Sequence, residues 1–391
     1  MNTLWRIIWR EWKRIASLPA HYMVLLVLPP FIFFFFALIY ENQHARDLPI
    51  AVWDQDHSTL SRKLTFMLEE TPSIHISKQV HSSKELKTAI QDGSVWGGVH
   101  FPAKMEQQIK SNHPVTVSLF TNSAAIVPAK LVYKDAAKVI IMGGSGVVLQ
   151  KFTKKGMDKE EAIALVQPIK LTTYPLYNPT FNYQKYLAPG LITVILQMMI
   201  IMVSVLLINY EYRTNSMGDL IKTGKGSALK IILGKTIAHL FIAWINFILI
   251  VGIIFPYFGL SNWETNGNFF ILFTFLALAC IGLGILVSVL FKDVMFATDV
   301  ALFYTSPAFV FSGYTFPRWA MPWFDQVYAH AMPYTPFLQG FFKIYYMSLP
   351  LTYIYKELGI LLIFITITFP AAIIIFSRKI KKMTPVNAIS L

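Results

Sequence analysis

The 391-residue chain is 55% hydrophobic and 15% aromatic but only 14% charged, with a mean hydropathy of +0.50. That is more apolar surface than water tolerates, which argues against a soluble globular enzyme. The net charge of +13 lies mostly beside apolar segments or scattered through one polar insert, with no long basic helix, so it points to membrane flanks rather than nucleic acid. The single cysteine, Cys280, sits in an apolar run, which excludes an intrachain disulfide framework and a multi-cysteine metal site and leaves it as a small packing residue.

At the N-terminus Trp5, Ile8, Trp12 and Ile15 recur at helical spacing, while Arg6, Arg10, Lys13 and Arg14 line an adjoining face. This is the pattern of an interfacial amphipathic helix; the alternative is a cytoplasmic extension of the first span. Apolar runs at 22–40, 187–209, 231–255, 268–290, 295–312 and 355–377 approach the roughly 20 residues that cross about 30 Å of hydrocarbon, which predicts six spans. The first is read as an anchor rather than a cleaved signal, because a charged helix precedes it and no small-residue cleavage site follows Phe33 to Phe36.

Lys and Arg concentrate before the first span, between the second and third, and after the last, so these segments are expected in the cytoplasm. The loop at 256–267 carries Glu264 and no basic residue, so it belongs outside. Parity then places the polar insert outside and both termini inside. The lysines of the insert do not oppose this, since long translocated domains largely escape the charge rule.

Within the insert, 48–53, 95–101 and 115–120 read as strands, and 58–70 and 83–92 as capped helices, the second closed by Gly93. Pro102 suits the first turn of a further helix, and Asp158 with Glu161 has capping-box spacing. A mostly helical stretch at 125–153 is expected to break at Gly143, Gly144 and Gly146, as a hinge or a loose loop. The sum is an α/β domain.

No nucleotide motor is legible. Gly234-Lys235-Thr236 ends like a phosphate loop, but Leu229 occupies the place of the required glycine and no strand precedes it. HExxH, GxSxG and Cys/His clusters are absent from the sequence. Polar groups inside spans are costly, so Gln197, His239 and Asn246 are candidates for a substrate path or dimer interface, against a plain role as interhelical glue. Cys280, Gly284 and Ser288 form a small-residue row for close helix packing, within the chain or across a dimer. Pro307 and Pro370 predict kinks.

Several motifs together resemble the ABC-2 type transporter permeases with a large extracytoplasmic domain, along nearly the whole chain. Arg10-Glu11 before an apolar span is similar to the family's lead-in helix. Leu48-Pro49-Ile50-Ala51-Val52-Trp53-Asp54-Gln55-Asp56 with Leu60-Ser61-Arg62 opens the insert, and Tyr177-Asn178-Pro179 followed by Leu187-Ala188-Pro189-Gly190 closes it. Phe311-Ser312-Gly313-Tyr314-Thr315-Phe316-Pro317, Met321-Pro322-Trp323 and Pro333-Tyr334-Thr335 resemble the family's most specific signature. Glu211, Arg213, Leu220, Thr223, Gly234 and Lys235 fit the cytoplasmic loop pattern, although Asn215-Ser216 and Gly224 replace a usual glycine-threonine and proline.

The resemblance implies an α-helical polytopic membrane protein of six transmembrane helices. Residues 1–40 hold the interfacial helix and first span, 41–185 the extracytoplasmic α/β domain, and 186–391 the remaining spans. Within the last lie a cytoplasmic coupling loop at 210–230 and a re-entrant segment at 313–347. It implies a permease subunit of an ATP-driven exporter in the cell (inner) membrane, moving an amphiphilic or hydrophobic substrate. Glu211, Arg213, Asp219, Lys222 and Thr223 would couple to the ATPase. Phe316, Pro317, Met321, Pro322, Trp323 and Pro333 would form an exit gate, while Phe316, Trp319, Trp323, Tyr334 and Phe337 read equally as an interfacial aromatic belt. The chain itself would hold no cofactor. ATP and magnesium belong to a separate ATP-binding subunit, beside a second permease, identical or paralogous, and a periplasmic adaptor. The alternatives are a membrane-anchored receptor or scaffold, and a mechanical transmitter whose substrate never enters the spans.

Overall fold

A computed structural model describes residues 3–17, 19–40, 46–169, 171–178, 182–260 and 262–383. Residues 41–45 of the expected insert and Pro179 of its closing motif lie outside the described residues. The described residues fall into two compact units, one within Met1–Gln43 and Pro175–Leu391, the other within His44–Tyr174.

The first unit is helical. It opens with α1 (Thr3–Ser17), α2 (Pro19–Tyr22), a π-helical turn at Met23–Val27 and α3 (Leu28–Ile39). Among the described residues, five helices are long and apolar enough to cross a membrane: Gln184–Arg213, Ala228–Tyr257, Trp263–Leu290, Val294–Phe311 and Leu351–Met383. Met23–Ile39 is a shorter apolar helix. The face of α1 that packs inward is Ile7, Ile8, Glu11 and Ile15, whereas Trp5 and Trp9 stay exposed. The helix is therefore amphipathic as expected, but its inner face meets protein: a Cβ at Gly234 would lie 2.7 Å from Ile7 Cγ2, and only a glycine lets α1 lie so close.

The second unit follows a four-stranded sheet in the order β2-β1-β3-β4 among the described residues. Its elements are β1 (Leu48–Asp54), α4 (Thr59–Glu69), β2 (Ile74–Gln79), α5 (Ser83–Gln91), β3 (Gly97–Phe101), α6 (Met105–Lys110), β4 (Ser118–Thr121), α7 (Ile126–Lys154) and α8 (Lys159–Val166). β1 pairs in parallel with β2 and β3, with Val52 opposite Val99, and β3 pairs antiparallel with β4. Ile50, Ala51 and Val52 are all buried because helices cover both faces of β1. Ile50 and Val52 meet α4, α6 and α7, and Ala51 meets Leu86 and Ala89 of α5.

Three local expectations are corrected, and one strand without a sequence signature is added. β2 shows no hydrophobic period, because Ile74 is its one buried residue and the rest of the strand is exposed or half-exposed, as an edge strand permits. α7 runs unbroken through Gly143, Gly144 and Gly146; at Gly143 a Cβ would fall 2.2 Å from Leu64 Cδ2, so the glycine serves the approach of α4 rather than a break. Pro102 precedes α6 instead of opening it, with Lys104 as the left-handed N-cap. Asp158 caps α8 through Glu160 N, without the reciprocal contact of a capping box. The box belongs to α4, where Ser58 and Ser61 exchange bonds.

The helical unit continues with α9 (Tyr183–Arg213), α10 (Met217–Thr223), α11 (Ala228–Leu249), a π turn at Ile250–Ile254, α12 (Phe255–Tyr257) and α13 (Asn266–Leu290). Then come α14 (Val294–Thr305), α15 (Ala308–Phe311), α16 (Trp323–His330), α17 (Tyr334–Phe341) and α18 (Tyr355–Met383). Pro307, which has no N–H to donate, falls at the interruption between α14 and α15, whereas Pro370 is accommodated inside α18. α13 is the central helix, packed by α9, α11, α17 and α18. The row Cys280, Gly284 and Ser288 faces α9 in the same chain: a Cβ at Gly284 would lie 2.4 Å from Ser204 Cβ, and Ser288 Oγ accepts from Ile208 N and Asn209 N.

Candidate functional site

Two regions of the helical unit carry the candidate residues. The first lies where α1, the C-terminal end of α9 and the start of α11 meet. Glu211 is fully buried there and receives Arg10 through two bonds, Nη1 to Oε1 at 2.8 Å and Nη2 to Oε2 at 2.7 Å, plus Ser216 Oγ at 2.5 Å. Lys235, also fully buried, donates to Glu211 Oε1 at 2.9 Å and to Glu11 Oε2 at 2.6 Å. Arg14 pairs with Glu11, and His239 Nε2 lies 3.1 Å from Glu11 Oε1.

Two carboxylates thus share three cations. Unpaired, each buried charge would cost several kcal/mol; in this cluster each has at least one partner of opposite sign. Burial alone would raise the Glu11 pKa, but Lys235, Arg14 and His239 outweigh it and hold the carboxyl well below its ordinary range. The cluster joins three elements far apart in sequence and makes α1, α9 and α11 one body at this end.

The segment leaving this cluster is α10. Met217 and Leu220 point inward, while Arg213, Asp219 and Lys222 are exposed and Thr223 is half-buried, its hydroxyl bonded to Asp219 O at 2.7 Å. Of the five residues expected on a coupling surface, Arg213, Asp219 and Lys222 are open to a partner, Thr223 partly so, and Glu211 is inside. Glu211 anchors the loop instead of presenting itself on it.

Gln197, His239 and Asn246 are all buried within the chain. Asn246 Nδ2 donates to Leu25 O at 2.6 Å and ties α11 to the π turn before α3, and Gln197 Oε1 lies 4.0 Å from Cys280 Sγ. His239 and Asn246 line a cavity of about 20 Å³, roughly the room one water needs.

The second region is residues 313–347 against the N-terminal part of α9. It divides into an exposed half, with Phe316, Pro317, Trp319, Pro322, Trp323 and Phe324, and a buried half running from Met332 through Pro333 to Phe341; Met321 is buried within the otherwise exposed half. The buried half is held by tyrosines. Pro189 has no N–H, so the carbonyl of Lys185 one turn earlier loses its helical donor. Tyr346 OH takes that place, donating to Lys185 O at 2.6 Å. Tyr334 OH donates to Gly190 O at 3.0 Å and shares a bond with Thr193 Oγ1 at 2.9 Å, while Tyr314 packs where a Cβ at Gly190 would stand. The Leu187-Ala188-Pro189-Gly190 motif is therefore a seat for the segment.

Sequence reasoning missed the roles of Glu11, Arg14 and Lys235 and of the three tyrosines Tyr314, Tyr334 and Tyr346. For the cluster the signal was there, in charged residues beside or inside apolar runs. Among the described residues, no group of three or more His, Cys, Asp or Glu is arranged to hold a metal ion.

Comparison with known proteins completes the picture. A family model described as ABC-2 family transporter protein matches residues 22–374. The probable multidrug ABC transporter permease YbhR of Escherichia coli strain K12 is 22% identical over 381 residues, covering 97% of this chain and 99% of that protein. The protein of the same name from Escherichia coli O157:H7 matches to the same extent.

Proposed function

The chain belongs to the ABC-2 family of transporter proteins, and on that premise we propose that it is the permease subunit of an ATP-driven exporter that moves an amphiphilic substrate outward across the inner membrane. It is a multi-pass membrane protein working with an ATP-binding subunit. Two permeases and two ATP-binding subunits form the working unit, and ATP, magnesium and the hydrolytic carboxylate reside on the partner. The substrate class is supported by the name of the similar Escherichia coli proteins, a probable multidrug permease.

The proposed topology has six spans. Residues 19–39 form the first, since a helix of that extent is about 30 Å long at ~1.5 Å per residue. Both termini and α10 are cytoplasmic, the α/β unit is extracytoplasmic, and it receives substrate or docks a periplasmic adaptor. Residues 313–347 re-enter the membrane from outside, where Phe316, Pro317, Met321, Pro322, Trp323 and Pro333 close the exit. Gln197, His239 and Asn246 hold the spans in register.

The observation that carries this reading is the buried Glu11–Lys235–Glu211–Arg10 cluster directly behind α10. A push on Asp219, Lys222 or Arg213 cannot be absorbed by a loose loop, because Glu211 two residues before Arg213 is tied into α1 and α11. Movement of α10 is passed to the spans.

The test is affinity co-purification of the tagged chain in mild detergent with an ATPase assay. An ATP-binding protein should be recovered, and Arg213→Ala with Asp219→Ala should weaken its recovery or uncouple its ATPase while the chain stays folded. A chain that purifies alone in several detergents, without ATPase activity, overturns the reading.

A further inference from the structure

Between α4, α6 and α7 the α/β unit forms a half-open cavity of about 570 Å³, within the size range of small-ligand sites. Its walls are apolar, with Leu64, Ile109, Val117 and Phe152 among them, and its polar side chains are Asn112, His113, Lys151 and Lys155. Among the described residues, no carboxylate lines it.

The polarity is ordered in space. Along α7 the lining face passes from Ile140 through Gly144 and Val148 to Lys151 and Lys155, so an apolar slot ends in two ammonium groups. Lys151 Nζ donates to Lys110 O at 2.9 Å and also to Asn112 Oδ1, which pins one ammonium where α6 ends.

The slot is kept open at some cost. Gly143 and Gly144 lie inside a 29-residue helix, where glycine is a poor helix former. Gly143 makes room for Leu64, but a Cβ at Gly144 would meet nothing within 4 Å. Neither packing nor backbone conformation calls for glycine at 144, which is exposed and lies on the rim of the cavity.

We propose that this cavity binds a single-chain amphiphile with an anionic head group, its alkyl chain in the slot and its head at Lys151 and Lys155. As a station on the export route the site rests on the exporter reading; as a binding site it does not.

The test uses the full-length chain in nanodiscs of zwitterionic lipid, without ATP or an ATP-binding subunit, and 11-(dansylamino)undecanoic acid as the fluorescent probe. Binding should saturate and be displaced by decanoate and laurate, with affinity rising about fourfold per added methylene until the slot is full. Gly144→Phe should lower probe affinity at least tenfold while Gly144→Ala, which leaves most of the space, retains it. Lys151→Gln with Lys155→Gln should weaken laurate several-fold and leave dodecanol unchanged. Probe binding that Gly144→Phe does not alter, or dodecanol displacing as well as laurate, overturns the proposal. Because the readout is binding to the chain alone, its failure leaves the exporter reading standing, and loss of the exporter reading leaves a positive binding result intact.

Discussion

Lys235→Met is the sharpest perturbation of the charge cluster. It removes the ammonium that bridges Glu11 and Glu211 and leaves two buried carboxylates with one cation fewer. Breaking a buried ion pair by deleting one partner costs about 3–5 kcal/mol. Here the lower figure applies, because Glu211 keeps both bonds from Arg10 and Glu11 keeps Arg14 and His239. A loss of about 3 kcal/mol from the docking of α1 raises its undocked fraction roughly a hundredfold. Maleimide labelling of Ile8→Cys reads this directly, since Ile8 is 5% exposed and the native Cys280 is fully buried and silent. The labelling rate should rise by about that factor in Lys235→Met, stay at the parent rate in the exposed control Lys13→Met, and partly recover when Glu11→Gln removes one of the stranded carboxylates. A rate within twofold of the parent in Lys235→Met refutes the claim that the cluster fastens α1.

Further outcomes follow from the same geometry. The Glu11 carboxyl is held below its unfolded value of about 4.3, so the stability it contributes is complete above that pH and is lost as pH falls toward the depressed folded value. Apparent melting temperature in detergent should therefore be flat in this contribution from pH 8 to 5 and drop below about pH 4, and a Glu11→Gln variant should show a smaller drop. Gly284→Ala, which would ordinarily gain helix propensity, should instead destabilise by about 1–3 kcal/mol in detergent–denaturant titrations, because the added methyl meets Ser204 and the Ile201 carbonyl. Ser58→Ala removes one arm of the α4 capping box and should cost about 1 kcal/mol, seen as faster amide exchange in the first turn of α4 with the helical unit unchanged.

Much of the architecture is legible because lipid and sheet impose simple periodicities. The long spans appear as apolar runs, and β1 and β3 appear because helices cover both faces of β1 and the runs around Ile50 and Val99 are continuous. β2 escapes for the opposite reason, since an edge strand with one buried residue has no hydrophobic period to show. The glycines of α7 mislead because glycine weakens a helix in isolation, while at Gly143 the close approach of Leu64 is what the position serves. Lys235 is visible as a charge in an apolar helix, yet its pairing with Glu11 spans 224 positions and only the packed helices bring the two together. Glu211 fits a loop motif in sequence and lies inside the protein because Arg10 and Lys235 neutralise it there. The seat at Pro189 and Gly190 is half legible: a proline and a glycine in a span announce an irregular helix, but not which hydroxyl will satisfy the freed carbonyl.

The central claim, that α10 receives force from an ATP-binding subunit, is tested most directly by crosslinking from a single thiol. With Cys280 buried, Lys222→Cys presents one reactive cysteine on the exposed face of α10. Treated with a short thiol-to-amine crosslinker in the co-purified assembly, it should give one adduct with the ATP-binding protein, in a yield that changes when ATP is added. Trp319→Cys, on the exposed side of the 313–347 segment, should give none. An adduct from Trp319→Cys, or none from Lys222→Cys with the ATP-binding protein present, would contradict the account.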